Sequence, residues 1–296
     1  MKVLNIGSMN LDYVYSVDHI IQPGETEATG GMNVFLGGKG INQSMALAKA
    51  GAEVYHSGMI GEDGQPFLDA CKEYGVNSQY IRKIDGKTGH TIIQVDKNAQ
   101  NSILLFGGAN QMLTEEFVDE VLAHFEKGDI LLLQNEVNKL PYIIDRAYEK
   151  GLQIALNPSP FNEKLNEVDM KKISIFLLNE VEGGQITNKT EPDEVLAKMQ
   201  EMFPHAKIVL TLGKDGAKYA EGDQVYYQPI FKVEAVDTTA AGDTFTGYFL
   251  AGLIEGMPIP EILKMSAKAS SIAVTREGAV PSIPYRKEVM EALVQE

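Results

Sequence analysis

Residues 237–254 of the chain read Asp-Thr-Thr-Ala-Ala-Gly-Asp-Thr-Phe-Thr-Gly-Tyr-Phe-Leu-Ala-Gly-Leu-Ile. A strand-like run at 231–236 precedes them, and a cluster of small residues then leads into an apolar segment. Phe245, Tyr248 and Phe249 recur at helical spacing, which predicts a helix with one buried side. Because small residues let a backbone approach a ligand closely, we expect a binding site where this helix begins.

Asp243 stands in the first turn of this predicted helix, where we expect the backbone N–H groups of Ala241, Gly242 and Asp243 itself to be free. Free N–H groups and the helix dipole favour an anion at such a place. Asp is common in the first turn of helices, so a structural role is one interpretation of Asp243. The other is a general base, which takes a proton from a hydroxyl group while the N–H groups stabilise the developing charge.

The composition limits the classes of protein to which the chain can belong. Its 296 residues are 44% hydrophobic and 23% charged, as in an ordinary globular domain. The net charge of −15 argues against nucleic-acid binding, which needs a basic surface. No apolar run approaches about 18 residues, no signal peptide precedes the first strand at Lys2 or Val3, and Cys71 is the only cysteine. We expect a cytoplasmic protein with no membrane or nucleic-acid partner.

Apolar strands alternate with amphipathic helices from residue 114 onward. This alternation predicts an α/β fold with a mainly parallel central sheet and helices on both faces. Residues 225–236 look like two antiparallel strands. Two segments, at about 13–36 and 88–106, break the alternation with short strands and turns. We expect these segments to form a small projecting sheet on a single domain that spans residues 1–296.

Polar side chains that suit sugar hydroxyls follow several of the predicted strands. They are Asn10, Asp12, Glu136, Asn179, Glu182, Thr211 and Asp243. In a parallel sheet these strand ends lie along one edge, and carboxylates and amides can bind many hydroxyl groups at once. Asn179 and Glu182 could instead hold a water shell around Mg²⁺, and any one of these residues alone could be an ordinary loop residue.

Several familiar motifs are absent from the sequence. Gly38-Lys39 is not part of a P-loop, because Asn33 stands where the first glycine is needed and Gly40 replaces Ser or Thr. The first strand lacks the Gly-x-Gly-x-x-Gly fingerprint of nicotinamide dehydrogenases. The five histidines show no zinc-ligand spacing, and no Gly-x-Ser-x-Gly elbow is present. The glycines around Lys39 therefore either let the backbone approach a polyol or form a tight strand-to-helix turn.

Five segments of the chain together resemble the ribokinase-like family of sugar kinases, and the resemblance covers essentially the whole sequence. They are residues 7–12 with 23–26, 37–43, 179–182, 211–216 and 237–245. Each segment is moderately specific, whereas all five in this order are very specific. Residues 107–110, 157–160 and 273–282 make the resemblance closest to the ribokinases within that family.

The resemblance implies a role for each matching residue. Asp243 would be the catalytic base, beside an anion hole formed by the backbone of Ala240, Ala241 and Gly242. The sugar would be bound by Asn10, Asp12, Gly38, Lys39, Asn42 and Glu136, together with Asp243. ATP would be bound by Asn179, Thr211, Gly213 and Gly216, and Mg²⁺ by Glu182 through water. A monovalent cation such as K⁺ would be held, mostly by backbone oxygens, at Asp237, Thr239, Ala273, Arg276, Gly278 and Ser282.

The resemblance also implies the reaction and the assembly. The expected enzyme transfers the γ-phosphate of ATP to a terminal sugar hydroxyl, with D-ribose, converted to ribose 5-phosphate, as the favoured sugar. Fructose, deoxyribose, a keto-deoxy acid or a nucleoside stay open as substrates, and a non-catalytic sugar or nucleotide sensor is the alternative from another class. The small sheet would be a lid that covers the sugar and joins two chains in a homodimer. His90 stands where we expect an apolar lid residue, and a His90 that faces the sugar would imply a different sugar.

Overall fold

The computed structural model of the protein describes residues 1–98 and 100–295. The strands in these residues are β1 (Val3–Ile6), β2 (Asn10–Ser16), β3 (Gly31–Gly37), β4 (Val54–Ile60), β5 (Asn77–Lys83), β6 (Gly89–Val95), β7 (Asn101–Phe106), β8 (Ile130–Gln134), β9 (Gln153–Asn157), β10 (Ile175–Asn179), β11 (Lys207–Thr211), β12 (Ala217–Glu221) and β13 (Gln224–Gln228). The α-helices are α1 (Lys39–Lys49), α2 (Gln65–Tyr74), α3 (Glu115–Leu122), α4 (Leu140–Lys150), α5 (Glu180–Thr187), α6 (Pro192–Met202), α7 (Ala241–Ile254), α8 (Ile259–Ala273) and α9 (Arg286–Val294). No helix in this part of the chain has both the length and the apolar character that a membrane crossing requires.

The central sheet contains strands in the order β13-β12-β11-β10-β9-β8-β1-β4-β5. The strands from β11 to β5 are parallel, and β12 and β13 add an antiparallel edge. Successive side chains of a strand face opposite cores, so Leu132 packs in one apolar cluster while Leu131 and Leu133 pack in the other. Helices cover both faces, and the predicted α/β class with a mainly parallel sheet is confirmed.

The order of the strands reverses beside β1. The chain places β4 on one side of β1 and later places β8 on the other side. Such a reversal opens a crevice outside the carboxyl ends of the strands, which is where ligands of open α/β sheets bind. Every residue of β1 is buried, in keeping with its position near the middle of the sheet.

Helix α7 is buried around its whole circumference, so the prediction of one buried side was wrong. All residues from Asp243 to Gly252 are buried. The reason is that α7 lies between two other helices rather than at the surface. A Cβ added to Gly247 would lie 2.4 Å from the Cβ of Ala46 in α1, and one added to Gly252 would lie 2.9 Å from Ile262 in α8. Glycine at these two positions allows three helices to pack closely.

The predicted strand at 231–236 was also wrong, because this segment has no partner in a sheet. The antiparallel pair is formed instead by β12 and β13. Pro229 follows β13 directly and cannot donate a ladder hydrogen bond, which favours the end of the strand there. The N–H groups of Val236 and Asp237 donate to the Val274 carbonyl, at 2.8 and 3.1 Å. The segment therefore runs to the end of α8 and delivers the chain to the start of α7.

The small projecting sheet contains four strands in the order β3-β2-β6-β7. Strands β2 and β6 are parallel, and β3 and β7 pair antiparallel with them. The predicted segments at 13–36 and 88–106 contain most of these strands, although β2 begins earlier, at Asn10. Because β2 starts so soon after β1 ends at Ile6, the small sheet is attached directly to the carboxyl edge of the central sheet.

The register of the small sheet decides which side chains share a face. Asp12 is paired with Thr91, so these two side chains lie on the same face. His90 is paired with Leu11 and with Phe106, and residues next to each other along a strand point to opposite faces. His90 therefore lies on the face opposite Asp12.

Candidate active site

The polar residues that follow the strands lie along one edge of the central sheet. Asn179 ends β10 and Thr211 ends β11, and these parallel strands are directly paired at those residues. Glu136 follows β8, while Asn10 follows β1 across a short turn. The parallel register thus collects side chains that are far apart in the sequence at the crevice beside β1.

The start of α1 rests on the turn that follows β1. A Cβ on Gly40 would lie 2.3 Å from the Ser8 nitrogen and 2.5 Å from the Gly7 carbonyl carbon. The Ile41 N–H donates to the Ser8 carbonyl at 2.9 Å, and Gly38 has a φ of 98°, which favours glycine. Of the two interpretations of this glycine run, the tight turn therefore explains Gly38 and Gly40. The same turn fixes the position of the Lys39 backbone at the start of α1.

Glu136 is held at the start of α1. Its Oε2 accepts a hydrogen bond from the Lys39 backbone N–H at 3.0 Å and a short one from the Ser8 hydroxyl. Burial raises the pKa of Glu136, although the Lys39 ammonium and these hydrogen bonds act in the opposite direction. The Glu136 carboxylate therefore has a fixed position and a single nearby cation.

The Lys39 ammonium is the positive centre of the site. Burial acts to lower the pKa of Lys39, but the carboxylates of Asp243, Glu136 and Glu182 outweigh burial and raise it. The ammonium consequently keeps its charge at neutral pH. Three carboxylates from distant parts of the chain thus converge on one cation.

Asp243 is held by two amide donors from α1. Asn42 Nδ2 donates to Asp243 Oδ2 at 3.0 Å, and Gln43 Nε2 donates to Asp243 Oδ1 at 2.9 Å. The carboxylate is 8% exposed, so most of its surface is shielded from water. Asn42 Oδ1 is buried and has no hydrogen-bond partner among the described residues, so its acceptor capacity is unused within the protein.

The first turn of α7 provides fewer free N–H groups than the sequence predicted. Ala240 has a left-handed backbone (φ 60°, ψ 10°) and its carbonyl accepts from Thr244 at 2.8 Å, which starts the helix. The Ala241 N–H is not free, because it donates to the Thr238 carbonyl at 3.3 Å. Gly242 is exposed, and a Cβ added there would meet no atom within 4 Å. The open anion-binding position therefore centres on Gly242.

Asn10 and Asp12 lie on the same face of β2 and point toward this crevice. Asn10 Oδ1 accepts a hydrogen bond from Asn110 Nδ2 at 2.8 Å, and Asp12 Oδ1 accepts one from the Thr91 hydroxyl at 2.5 Å. Burial raises the pKa of Asp12, and the Thr91 hydrogen bond opposes part of that rise. Gly37 faces the same carboxylate, since a Cβ there would lie 1.8 Å from Asp12 Oδ2. Asn10 and Asp12 therefore form a polar surface, here called the polar floor, whose acceptor oxygens are held in place by hydrogen bonds.

His90 takes no part in this floor. Its ring packs against Phe106, with the ring centroids 4.9 Å apart, and against Tyr13 at 6.0 Å. Because it lies on the face of the small sheet opposite Asp12, the structure gives no support to a His90 that selects the sugar.

Asn179 and Glu182 form a reciprocal cap on α5, a helix that the sequence did not reveal. Asn179 Oδ1 accepts from the Glu182 N–H at 2.9 Å, and Glu182 Oε2 accepts from the Asn179 N–H at 3.0 Å. One oxygen of the buried Glu182 carboxylate is thus committed to the cap. The other is available to hydrated Mg²⁺, a fit that requires few protein ligands because Mg²⁺ keeps several waters.

Thr211, Gly213 and Gly216 shape the turn between β11 and β12. Gly213 and Gly216 both have positive φ, 51° and 94°, and a Cβ on Gly216 would lie 2.1 Å from the Gln228 carbonyl oxygen. The Leu212 N–H donates to the Gly216 carbonyl at 2.8 Å. Residue 216 therefore has to be glycine, because a side chain there would clash with the backbone at the end of β13.

Two loops meet beside the start of α7. Asp237 accepts hydrogen bonds from the Thr239 N–H at 2.8 Å and from the Gly278 N–H at 3.0 Å, so it ties the 237–239 loop to the 274–282 loop. Burial would raise the pKa of Asp237, but these hydrogen bonds outweigh it and hold the pKa below its usual value. The Arg276 side chain pairs with Glu288 and leaves only its backbone to face the loops.

The predicted residues thus fall into three groups. Lys39, Asn42 and Glu136 form the group nearest to Asp243, and Asn10, Asp12 and Gly38 lie in β2 or just before α1. Asn179, Glu182, Thr211, Gly213 and Gly216 follow β10 and β11. Asp237, Thr239, Ala273, Arg276, Gly278 and Ser282 lie in the two tied loops or at the end of α8. A fixed carboxylate beside a helix N-terminus and a half-buried ammonium can activate a hydroxyl group and stabilise a transferred anion.

Sequence reasoning missed the residues that support the site from behind. Asn110 and Thr91 hold Asn10 and Asp12, while Gln43 and Gln134 form hydrogen bonds behind Asp243. Gln43 and Asn110 lie in the segments 37–43 and 107–110 that carry the family resemblance, and Gln134 is a polar residue at the end of an apolar strand, but the sequence assigned none of them a role. Their hydrogen-bond partners could not be identified before the fold brought them together.

Comparison with known proteins shows relatives along the whole chain. The pfkB family carbohydrate kinases match residues 1–286. A ribokinase of Haemophilus influenzae is 35% identical, covering 97% of this chain and 97% of its own length. The solved ribokinase of Cryptococcus neoformans in complex with ADP is 33% identical, with a TM-score of 0.86, and the match covers 98% of this chain and 99% of that one.

A second solved structure is that of Arabidopsis thaliana ribokinase complexed with ribose and ATP. It is 29% identical with a TM-score of 0.88, and the match covers 99% of this chain and 98% of that one. The similarity therefore concerns the complete fold, including the small sheet, and not an isolated motif.

Asp12→Asn is expected to stabilise the protein at pH 7 by about 1 kcal/mol, a typical size for a point substitution. Because burial raises the pKa of Asp12 above its ordinary 3.8, the wild-type protein loses stability as the pH rises from 3.8 through the folded-state value. The advantage of Asn should therefore grow over this range and vanish below it. Urea unfolding at several pH values measures the difference.

The exposed turn residue Asp223 provides the matched control. Asp223→Asn should change the free energy of unfolding little at any pH. An Asp12→Asn variant that is less stable than the wild type at pH 7 would show that the ionised form of Asp12 is favoured by the fold.

Proposed function

The chain belongs to the pfkB family of carbohydrate kinases, and from this membership we propose that it is an ATP-dependent ribose kinase that produces ribose 5-phosphate. The relatives described above, which are ribokinases along their full lengths, support ribose as the sugar. The observation that carries the proposal is the Asp243 carboxylate, fixed by two amide donors where α7 begins. A sensor without catalytic activity has no need of such a base.

In the proposed reaction Asp243 removes the proton from the 5-hydroxyl of ribose. The hydroxyl oxygen forms a bond to the γ-phosphorus of ATP, the bond from that phosphorus to the β–γ bridging oxygen breaks, and ADP leaves. The backbone at Ala240, Ala241 and Gly242 faces the transferred group, with the Gly242 N–H as the open donor. Phosphoryl transfer depends chiefly on positioning and charge stabilisation, which a rigid carboxylate and a helix N-terminus supply.

The sugar is proposed to lie between the polar floor of β2 and the start of α1. Asn10, Asp12 and Glu136 offer oxygen acceptors that are already fixed by hydrogen bonds within the protein. The partnerless Oδ1 of Asn42 is suited to accept a hydrogen bond from a sugar hydroxyl. The proposed sugar site also includes Lys39 and the backbone of Gly38. So many polar groups in one place suit a bare polyol better than a nucleoside, whose base needs an apolar pocket.

ATP is proposed to lie along the carboxyl ends of β10 and β11, against Asn179, Thr211, Gly213 and Gly216. Glu182 would hold Mg²⁺ through water, and when bound the ion neutralises charge on the phosphate groups. The Lys39 ammonium lies within the electrostatic reach of Glu182 and Asp243. The protein therefore supplies a positive charge where the sugar and the phosphate groups meet.

A K⁺ site is proposed in the two loops tied by Asp237. The donors would be mostly backbone oxygens of Asp237, Thr239, Ala273, Arg276, Gly278 and Ser282. Two observations support a cation there: the Asp237 carboxylate adds negative charge, and the 237–239 loop leads directly into the first turn of α7. A cation in this position would stiffen the loop that leads into the anion-binding turn.

The small sheet is proposed to act as a lid over the sugar and as the interface of a homodimer. Consecutive apolar residues of β7, Ile103 to Phe106, are each at least 50% exposed. Exposed apolar surface of this kind marks an interaction site more often than a free surface.

The use of ATP and the free thiol of Cys71 support a cytoplasmic location, which cell fractionation would test.

The proposed activity is tested by coupled ADP release with ribose, fructose, deoxyribose, adenosine and a keto-deoxy acid, with and without K⁺ and Mg²⁺. We expect the highest kcat/KM with ribose, a requirement for Mg²⁺ and activation by K⁺. Preference for another sugar would contradict the assignment of ribose as the substrate, but it would agree with the proposed mechanism of phosphoryl transfer. Ligand-induced thermal stabilisation without turnover of any sugar would contradict the kinase and favour a sensor.

Asp243→Ala is expected to lower kcat by about 10²–10⁴, the usual scale for the loss of a general base. KM for ribose should change little, because the floor residues Asn10 and Asp12 are untouched. Steady-state kinetics with ribose and ATP measure both constants, and the melting temperature confirms folding. A kcat close to that of the wild type would rule out Asp243 as the base.

The dimer is tested by sedimentation at micromolar concentration. The wild-type protein should sediment at twice the 32.4 kDa mass of one chain, and a double variant with Leu104→Glu and Leu105→Glu should sediment as a monomer. Val225→Glu is the control, because Val225 is equally exposed but lies on β13 of the central sheet. A monomeric wild-type protein would contradict the interface.

A further inference from the structure

A chain of buried polar side chains leads from Asp243 into the core. Gln134 Nε2 donates to Gln43 Oε1 at 2.6 Å and to Asn5 Oδ1 at 3.2 Å. Gln43 in turn donates to Asp243 Oδ1 at 2.9 Å. We call Gln43, Gln134 and Asn5 the amide chain; each is at most 1% exposed. It joins α1, β8 and β1 behind the proposed base.

The amide chain continues beyond Asn5 to an uncharged end. Asn5 Nδ2 donates to the Gly40 carbonyl at 2.7 Å and to Ser44 Oγ at 2.9 Å. Ser44 Oγ lies 2.8 Å from His56 Nδ1, and burial lowers the pKa of His56 to about 3. The imidazole is therefore neutral at any ordinary pH, so no charge lies at the inner end.

The Asp243 carboxylate dictates the orientation of every amide in this chain. An ionised carboxylate only accepts hydrogen bonds, so Gln43 must turn its NH₂ group toward Asp243 and its carbonyl away. Gln134 must then turn its NH₂ group toward the Gln43 carbonyl, and Asn5 presents its own carbonyl to the same NH₂ group. Reversal of any one amide would place like groups face to face. The hydrogen bonds thus admit a single arrangement.

This arrangement is a costly way to fill a protein core. Buried amide groups are unfavourable unless all their polar atoms are bonded, yet Gln134 Oε1 has no partner among the described residues. Gly7 must also lack a side chain, since a Cβ there would lie 2.6 Å from that oxygen. Apolar side chains of the same volume would fill the space without an unpaired polar atom. Core packing alone therefore does not explain the amide chain.

We propose that Gln43 and Gln134 are positioning residues for phosphoryl transfer, which hold the Asp243 carboxylate so that it presents a free lone pair to the sugar hydroxyl. The inference rests on the proposed function, because a positioning residue presupposes a base. Gln43 holds one carboxylate oxygen, and Asn42, the next residue on α1, holds the other. Gln134 keeps Gln43 from rotating away.

The chemistry of amides adds a second consequence. Amide groups neither gain nor lose protons near neutral pH, so the amide chain cannot carry a proton inward from Asp243. The proton taken from the sugar hydroxyl stays on the Asp243 carboxyl group and returns to solvent after the products leave. The base therefore exchanges protons only with the side of the site that holds the sugar.

The charged groups that act on Asp243 remain in place when the amide chain is changed. Lys39 of α1 favours the ionised carboxylate, and Glu136, which follows β8, opposes it. Glu182 of α5 acts on Lys39. A shift in the pH profile of a Gln43 variant can therefore be assigned to the lost amide donor.

Gln43→Met, which keeps the length of the side chain but removes its donor, is the first test. We expect kcat to fall by about 10–100-fold, while KM for ribose and for ATP changes by less than about threefold, because misplacement of a base affects the chemical step. The acidic limb of the kcat pH profile should move to higher pH, because the ionised carboxylate loses a donor. Gln134→Met should act in the same direction by a smaller factor.

The double variant tests whether the two residues act as a unit. Its loss of kcat should be smaller than the product of the two single losses, because both act through Asp243. Losses that multiply fully would overturn the coupling. If Gln43→Met does not fold, the pH profile of kcat for Gln134→Met tests the positioning role instead. Gln134 does not touch the Asp243 carboxylate.

Val118→Ala is the matched control for lost stability, because Val118 is fully buried in α3 and makes no hydrogen bond to the amide chain. It should lower the melting temperature and leave kcat and the pH profile unchanged. If Gln43→Met behaves like this control, the amide chain is only structural and the proposal is wrong.

Failure of the proposed function would be recognised separately, since the wild-type protein would then phosphorylate none of the sugars. The amide chain can still be tested without activity. With ¹³C-labelled aspartate, and Asp243→Asn for assignment, the Asp243 carboxyl resonance should titrate at higher pH in Gln43→Met than in the wild type. Identical titration curves would overturn the inference.

Discussion

The hydrogen bonds between Asp243 and the first turn of α1 are the interaction on which the site depends. They join residues about 200 positions apart in the sequence, through Asn42 and Gln43. The same two helices pack so closely along their length that Gly247 has no room for a side chain beside Ala46. Tight packing of α7 on α1 thus brings the carboxylate, the start of α7 and Lys39 into one place, and rigid helices keep it there.

Charge balance explains how so acidic a protein can hold an anionic ligand. The chain has a net charge of −15, but the site contains the half-buried Lys39 side chain and the N-terminus of α7. The carboxylates of Asp243, Glu136 and Glu182 keep Lys39 charged in spite of burial. An anion at the start of α7 would therefore meet the Lys39 ammonium and free backbone N–H groups, although carboxylates outnumber ammonium groups around the site.

The role proposed for the small sheet rests on its point of attachment. Strand β2 begins immediately after the turn that follows β1, so the small sheet starts at the carboxyl edge of the central sheet, and its register puts Asp12 and Thr91 on one face. The same register turns His90 the other way, toward Phe106. A shift of one residue would exchange the two sets, so hydrogen-bond register alone decides which side chains line the site.

Much of the fold and of the candidate site could be predicted from the sequence, because hydrophobic periodicity and glycine positions depend directly on local structure. Continuous apolar runs predicted the parallel sheet, and the glycine-flanked Asp243 predicted the start of α7. Contacts between distant residues left no such trace. The complete burial of α7, the extended segment at 231–236, the opposite faces of Asp12 and His90, and the hydrogen bonds from Gln43 to Asn5 depend on which elements lie side by side. The fold alone decides these pairings, since each requires two surfaces that are specified in separate parts of the chain.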